Sequence, residues 1–340
     1  MVRILIVATV LGLVGTSVAR PAAVTVAAAN SAPAVKARAD LICDGKDDQV
    51  ELLASITRAA KFEVEVDVSP SMQKTVSCYG RHSVEWLPGD YDLGDTLIVP
   101  DAADLVIRAE GTYFHYRRPA GDAVVVTGMN RCRYQFGTIE TGSTGAAIRV
   151  QPTPAMPALM SFVGFTGLVG RGRKGIGLAL DATRENVCVN RFEGTDIAGF
   201  DVGVFVGDAD QGPNLPSYRG KCDTNWFWLS YVRLCKTCIW EKGKGVDDSV
   251  WEVNVDASLP NSTAIRTAAA NGRWFVIMGT FGGTGTEAII IDPGARENRF
   301  DVRPPISRYS WHDHSGNSTN QFLDGDGPSR GRNRARSTSR

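Results

Sequence analysis

What most restricts this chain is a ladder of aromatic residues. Phe136, Phe162, Phe192, Phe227, Trp251 and Phe275, with Phe300 as a seventh, follow one another at intervals of 26, 30, 35, 24, 24 and 25 residues. Each lies in a short alternating stretch, and a second small-plus-β-branched stretch comes about 12 to 16 residues later, at 147–150, 177–180, 204–206, 238–240, 264–266 and 288–291. Two strands in every ~25 residues predict a solenoid of stacked coils. A five-residue strand with one apolar face cannot bury that face alone, so each coil must lie against the next with its aromatic stacked on its neighbour inside the tube.

The expected fold class is therefore all-β, a parallel β-helix with one strand ladder per face. An Asn or another turn residue stands before several anchors, as in Asn190-Arg191-Phe192, Asn225-Trp226-Phe227 and Asn298-Arg299-Phe300. Asn tolerates the left-handed backbone that a tight corner needs. An antiparallel sandwich also has short alternating strands, but two-residue Asn-Gly or Asp-Gly hairpin signals are few and the period is too long for a meander. Because a solenoid adds coils rather than cores, 340 residues read as one elongated domain. Lys and Arg number 37 against 37 Asp and Glu, a balance that argues against bulk electrostatic binding of nucleic acid.

The N-terminus reads as a signal peptide over 1–19: Arg3 supplies the charged start, 4–14 the apolar run, and Ser17-Val18-Ala19 the small residues at the cleavage site. The run is shorter than the ~20 residues that span a bilayer, so no transmembrane segment is expected once it is removed. Residues 20–39, rich in Ala, Pro and Val without period, read as a flexible linker. Asp47-Asp48 followed by Val50, Leu53, Ile56, Ala59 and Ala60 predicts a helix capping the open end of the solenoid. The assignment is then cap and first coil at 40–110, coils at 111–305, and a disordered basic tail at 306–340 whose last eleven residues hold five Arg and no acid.

Asp44-Gly45-Lys46-Asp47-Asp48 entering a helix, then Leu87-Pro88-Gly89-Asp90-Tyr91 and Thr96-Leu97-Ile98-Val99-Pro100, resemble the N-terminal segment of the pectate-lyase-like superfamily. That resemblance implies a right-handed, single-stranded parallel β-helix. It covers roughly 40–110 by motif and 130–302 by repeat. The superfamily includes polysaccharide lyases, polygalacturonase-type hydrolases, epimerases and phage tailspikes, so it speaks for fold more than for activity. Of the hydrolase signatures Asn-x-Asp, Asp-Asp, Gly-His-Gly and Arg-x-Lys, expected on successive coils, Asp247-Asp248 is present and Gly-His-Gly is missing, and no His lies between 116 and 311. A lyase of this kind would imply calcium held by converging carboxylates; no metal ligands are assigned.

The repeat aligns the positions beside each anchor. One residue after stand Glu193, Trp228, Glu252 and Val276; one before stand Arg191, Trp226, Val250 and Trp274. Coils lie ~4.8 Å apart, so Glu193 and Glu252 straddle Trp228 at about 10 Å, near the upper end of the ~6.5–9.5 Å that separates the carboxylates of inverting glycosidases. Glu193 and Glu252 are the candidate catalytic pair, and Trp228, Trp226 and Arg191 the candidate substrate contacts, because an indole suits the face of a sugar ring.

Other features carry less. Seven Cys allow three bridges and leave one thiol, with Cys43 to Cys78 the first expectation, and Cys235-Lys236-Thr237-Cys238 is expected to oxidise in an exported chain. His312-Asp313-His314 lies past the last expected coil and reads as a solvated loop. Asn261-Ser262-Thr263 and Asn317-Ser318-Thr319 fit glycosylation acceptors, and the insertion at 208–221 is long enough to wall a groove. The functional expectation is a secreted protein that binds or acts on a polysaccharide or cell-surface glycan, as lyase or hydrolase, and as monomer or trimer. The alternatives are a non-catalytic adhesion module and a tailspike-like structural protein.

Overall fold

The structure, a computed structural model, describes residues 23–60, 82–207, 220–243, 245–316, 319–324 and 327–330. The chain is a parallel β-solenoid of about nine turns. Its longest sheet pairs Val24–Ala27, Ser83–Trp86, Val106–Arg108, Arg133–Thr141, Phe162–Gly170, Arg191–Ala198, Trp226–Arg233, Val250–Ala257, Arg273–Phe281, Arg299–Arg303 and Gln321–Asp324 in that order. A second sheet stacks the stretches predicted from the repeat, from Leu97–Val99 through Thr237–Lys242 to Trp311–Asp313. A third consists of two-residue strands, from Ala102–Ala103 to Val246–Asp247. No period of two can be seen in two residues, which is why the repeat showed two strands per coil rather than three. Pairing between coils is parallel throughout, and the antiparallel strand pair among the described residues is the terminal Gln321–Asp324 with Gly327–Arg330, so a sandwich is excluded.

The aromatic ladder is real, with its rungs partly reassigned. Phe192, Phe227, Trp251, Trp274, Phe300 and Phe322 stack face to face, with centroid spacings of 5.2, 3.7, 4.9, 5.6 and 5.0 Å. Trp274, not Phe275, fills its rung: it pairs with Trp251 and is buried, while Phe275 points outward. Phe162 also lies outside the shaft, where the Arg133 guanidinium sits 4.6 Å over its ring, and Val163 takes the inward place beside Phe192. Phe136 is buried two positions along, packed at 6.2 Å from Trp86, and Tyr134 occupies the rung proper.

The corner Asn residues work differently from expectation. At Asn190, Asn225 and Asn298 the left-handed residue is the one before, Val189, Thr224 and Glu297 with φ of 58, 53 and 58°, and Asp104, Arg131, Met160, Asp248 and Asn271 take the same conformation, with φ between 48 and 57°, in other coils. The Asn side chain instead turns into the shaft. Asn190 Nδ2 donates to Ala158 O (2.9 Å) and Asn225 Nδ2 to Val187 O (2.7 Å), while Asn225 Oδ1 accepts from the Asn190 backbone N–H (3.1 Å). Asn298 and Asn320 repeat the pattern. Each corner leaves backbone groups unpaired in the interior, and a buried amide that both donates and accepts satisfies them from coil to coil.

Both ends are more ordered than expected. Within the segment read as a flexible linker, Val24–Ala27 joins the long sheet between Leu41–Ile42 and Ser83–Trp86 because Val24 and Val26 present one apolar face. The helix forms as Gln49–Ala60, but its inward stripe is Leu52, Ser55, Ile56 and Ala59, with Val50 and Leu53 exposed. Trp86 Nε1 donates to Ser55 Oγ (3.1 Å) and selects that face. At the other end, the supposed disordered tail begins with another coil: Trp311–Asp313 and Gln321–Asp324 extend two sheets, and Phe322 closes the aromatic stack. His312-Asp313-His314 is therefore largely strand, not a solvated loop, with His312 Nε2 3.3 Å from Glu287 Oε2. The signal peptide, Cys78, Asn317 and most of the 208–221 insertion lie outside the described residues.

Candidate functional site

On the long sheet, alternation turns every second residue outward, and parallel registry lines those residues into rows across the coils. One row runs Arg133, Phe162, Arg191, Trp226, Val250, Arg273 and Arg299. The next runs Gln135, Gly164, Glu193, Trp228, Glu252, Phe275 and Asp301. All five residues singled out from the repeat thus share two adjacent rows, with Trp228 directly between Glu193 and Glu252. Val276 and Trp274, aligned with them from the sequence, are buried instead, for the reason that moved Phe275 out of the shaft.

Exposed large apolar side chains concentrate here. Trp226, Trp228 and Phe275 are each 52% exposed and Ile277 is 56% exposed. A shallow groove of about 570 Å³ runs over Trp228, Phe275 and Ile277, bordered by Glu252, Asn254, Asp301 and Arg303. Arg191 pairs with Glu193 and places its guanidinium 5.4 Å over the Trp228 ring; Arg303 lies 3.6 Å from Asp301. Phe275, Ile277, Asp301 and Arg303 escaped the sequence reading. Placing the anchor on Trp274 would have found Phe275 as the residue after it, while Asp301 already stands one residue after the anchor Phe300.

The arrangement is an aromatic platform edged with hydrogen-bonding charges. As an acid–base pair, one of Glu193 and Glu252 would have to be kept protonated, which takes burial or a close like charge. Glu252 is exposed and Glu193 is held by a guanidinium. Both are placed to accept from hydroxyl groups of a ligand lying on Trp228.

Among the described residues, Cys43, Asp48 and Glu51 bring potential metal-ligand atoms within 4.8 Å of one another. Both Asp48 oxygens already accept backbone N–H groups, from Gly45 (2.9 Å) and Asp92 (2.8 Å). Burial also pushes the Cys43 thiol far up, away from the thiolate that a metal needs. Cys43, Cys132, Cys188, Cys222, Cys235 and Cys238 are free thiols. Cys235 and Cys238 are buried and hydrogen-bonded to each other, which raises Cys238 and lowers Cys235. None of the helices among the described residues is long and apolar enough to cross a membrane.

No family model, no curated protein and no solved structure matches this chain. What the coordinates show is the parallel β-solenoid itself.

Proposed function

We propose that this protein is exported and binds a polysaccharide along the outward face of its long sheet. The observation that carries this reading is the row Glu193, Trp228, Glu252, Phe275, in which exposed aromatic faces alternate with carboxylates at the ~4.8 Å coil spacing. Indole and phenyl faces pack against the C–H faces of sugar rings, and carboxylates accept from the hydroxyls at the ring edge. Arg191 and Trp226 extend the contact into the neighbouring row. A linear polymer running along the solenoid axis would meet one rung after another.

Calorimetric titration with neutral and uronate polysaccharides tests it. Trp228→Ala should weaken binding by about 10- to 100-fold, the loss typical of a central aromatic contact. Binding untouched by Trp228→Ala and Phe275→Ala together would remove the site. A second reading, an assembly face for further copies of the chain, draws on Ile277, which offers a sugar nothing but apolar surface. A trimer by light scattering that Ile277→Lys dissolves would favour it.

A further inference from the structure

Away from the aromatic groove, the last coil gathers two imidazoles and a carboxylate. Strand Trp311–Asp313 ends the second sheet and pairs with Glu287–Ile291, setting Ile289 beside Trp311, Ile290 beside His312 and Ile291 beside Asp313. Alternation turns Trp311 inward, where it meets Phe322 at 4.5 Å, and leaves His312 and His314 together on the outward side. Their rings stand nearly parallel, 11° between planes, with centroids 5.8 Å apart. Glu287 reaches the same side from the coil before, and its Oε2 lies 3.3 Å from His312 Nε2. That oxygen is buried and accepts no hydrogen bond, whereas a buried carboxylate oxygen ordinarily has a partner.

The neighbouring acids are already engaged. Asp292 accepts from Arg266 Nε (2.8 Å) and Nη2 (3.1 Å), and Asp313 Oδ1 accepts from the Ser315 backbone N–H (2.9 Å). His312, His314 and Glu287 remain as donors of lone pairs. An ordinary ion pair would aim an Nε2–H at Glu287 Oε2, yet no hydrogen bond joins the two. A shared ion explains the spacing better. Zinc holds imidazole nitrogen at about 2.0–2.1 Å and carboxylate oxygen at about 2.0–2.2 Å in a tetrahedron, whose edge is then roughly 3.4 Å. The 3.3 Å between Nε2 and Oε2 matches that edge. At the same bond lengths two imidazoles on one ion have ring centres roughly 5 Å apart. A small turn of the exposed His314 side chain closes the remainder.

We infer that His312, His314 and Glu287 form a binding site for a divalent transition-metal ion, which fastens the last coil to the one before it. Calcium and magnesium prefer all-oxygen sets, whereas two imidazoles with one carboxylate suit zinc. Three protein ligands leave a fourth position for water. The site is well placed to hold the end of the solenoid, because among the described residues no further strand covers the outer edge of Trp311–Asp313. An ion shared between two coils opposes fraying of such an edge. The site lies on the second sheet, apart from the Trp228 row, and does not depend on the polysaccharide reading.

The full chain, stripped of metal with a chelator, is titrated calorimetrically with zinc chloride and, in parallel, with cobalt(II) while the visible spectrum is recorded. A single zinc ion per chain should bind here, and the melting temperature should climb with zinc concentration. The double variant His312→Asn, His314→Asn and, separately, Glu287→Gln should each weaken binding by at least about 10-fold, since loss of an outer-shell partner alone costs that much. Glu287→Gln keeps the side chain's shape, so the test stands if the double variant misfolds. Cobalt should give the visible bands of a tetrahedral nitrogen and oxygen set, without the near-ultraviolet thiolate band that would mark the cysteines. Parental zinc affinity in either variant, a cobalt spectrum dominated by thiolate, or no binding at all overturns the site.

Discussion

Val189 shows how much strain a single corner residue stores. It is β-branched, about half exposed, and held at φ 58°, where its Cβ crowds its own backbone. Such a conformation costs on the order of 1–3 kcal/mol, and little packing is lost on replacement. Val189→Asn should therefore stabilise the protein by about 1 kcal/mol, read as a higher denaturant midpoint with unchanged slope. Asn225 is the opposite case: its buried amide serves Val187 O and Asn190 N together. Asn225→Ala should cost about 2–4 kcal/mol, since it leaves both groups buried and unpaired. Glu241 adds a pH response. It is wholly buried, accepting from Trp251 Nε1 (2.8 Å) and Thr267 Oγ1 (2.7 Å), and desolvation pushes its pKa from 4.5 up to about 7. An acid whose folded pKa is raised leaves stability intact below the unfolded value and erodes it as pH climbs to the folded one. The expected loss, between pH 4.5 and about 7, is on the order of 3 kcal/mol. Melting temperatures at pH 5 and pH 8 should differ in the parent and converge in Glu241→Gln, which keeps an acceptor without a charge.

Among the elements, the terminal coil matters most for the stack. Phe322 covers Phe300, and Trp311 leans on Phe322 at 4.5 Å. Removing residues 306–340 would leave Phe300 at an open end with nothing above it, and an uncapped solenoid exposes both its core and its strand edges. The truncated protein should melt lower and self-associate in light scattering, whereas a chain cut after 330 should behave as the parent. The helix Gln49–Ala60 closes the first coils through Leu52, Ile56 and Ala59. Its orientation follows from Ser55 reaching Trp86, a polar contact that an apolar stripe read from spacing alone passes over.

At the scale of the whole molecule, each coil touches its neighbours and little else, so interactions spread along one axis. Two consequences follow. Unfolding should depart from a single all-or-none step, with different midpoints for fluorescence of the stacked tryptophans and for far-ultraviolet dichroism. Residues dozens of positions apart also become lateral neighbours, which is how one outward row collects Glu193, Trp228, Glu252, Phe275 and Asp301 from five coils.

A strand too short to bury its own apolar face, repeated every two dozen residues, commits a chain to stacking, and that much could be read before any coordinates. So could the neighbourhood of Glu193, Trp228 and Glu252, because the coils between them keep their register. What the repeat could not decide was facing. A shift of one residue exchanges inside for outside, and only the packed shaft shows that Trp274 goes in and Phe275 out. Nor could it bring Glu287 beside His312, or bury Glu241 against Trp251. Those contacts follow from coils of unequal length being wound into one tube, and corner geometry rather than periodicity sets that winding.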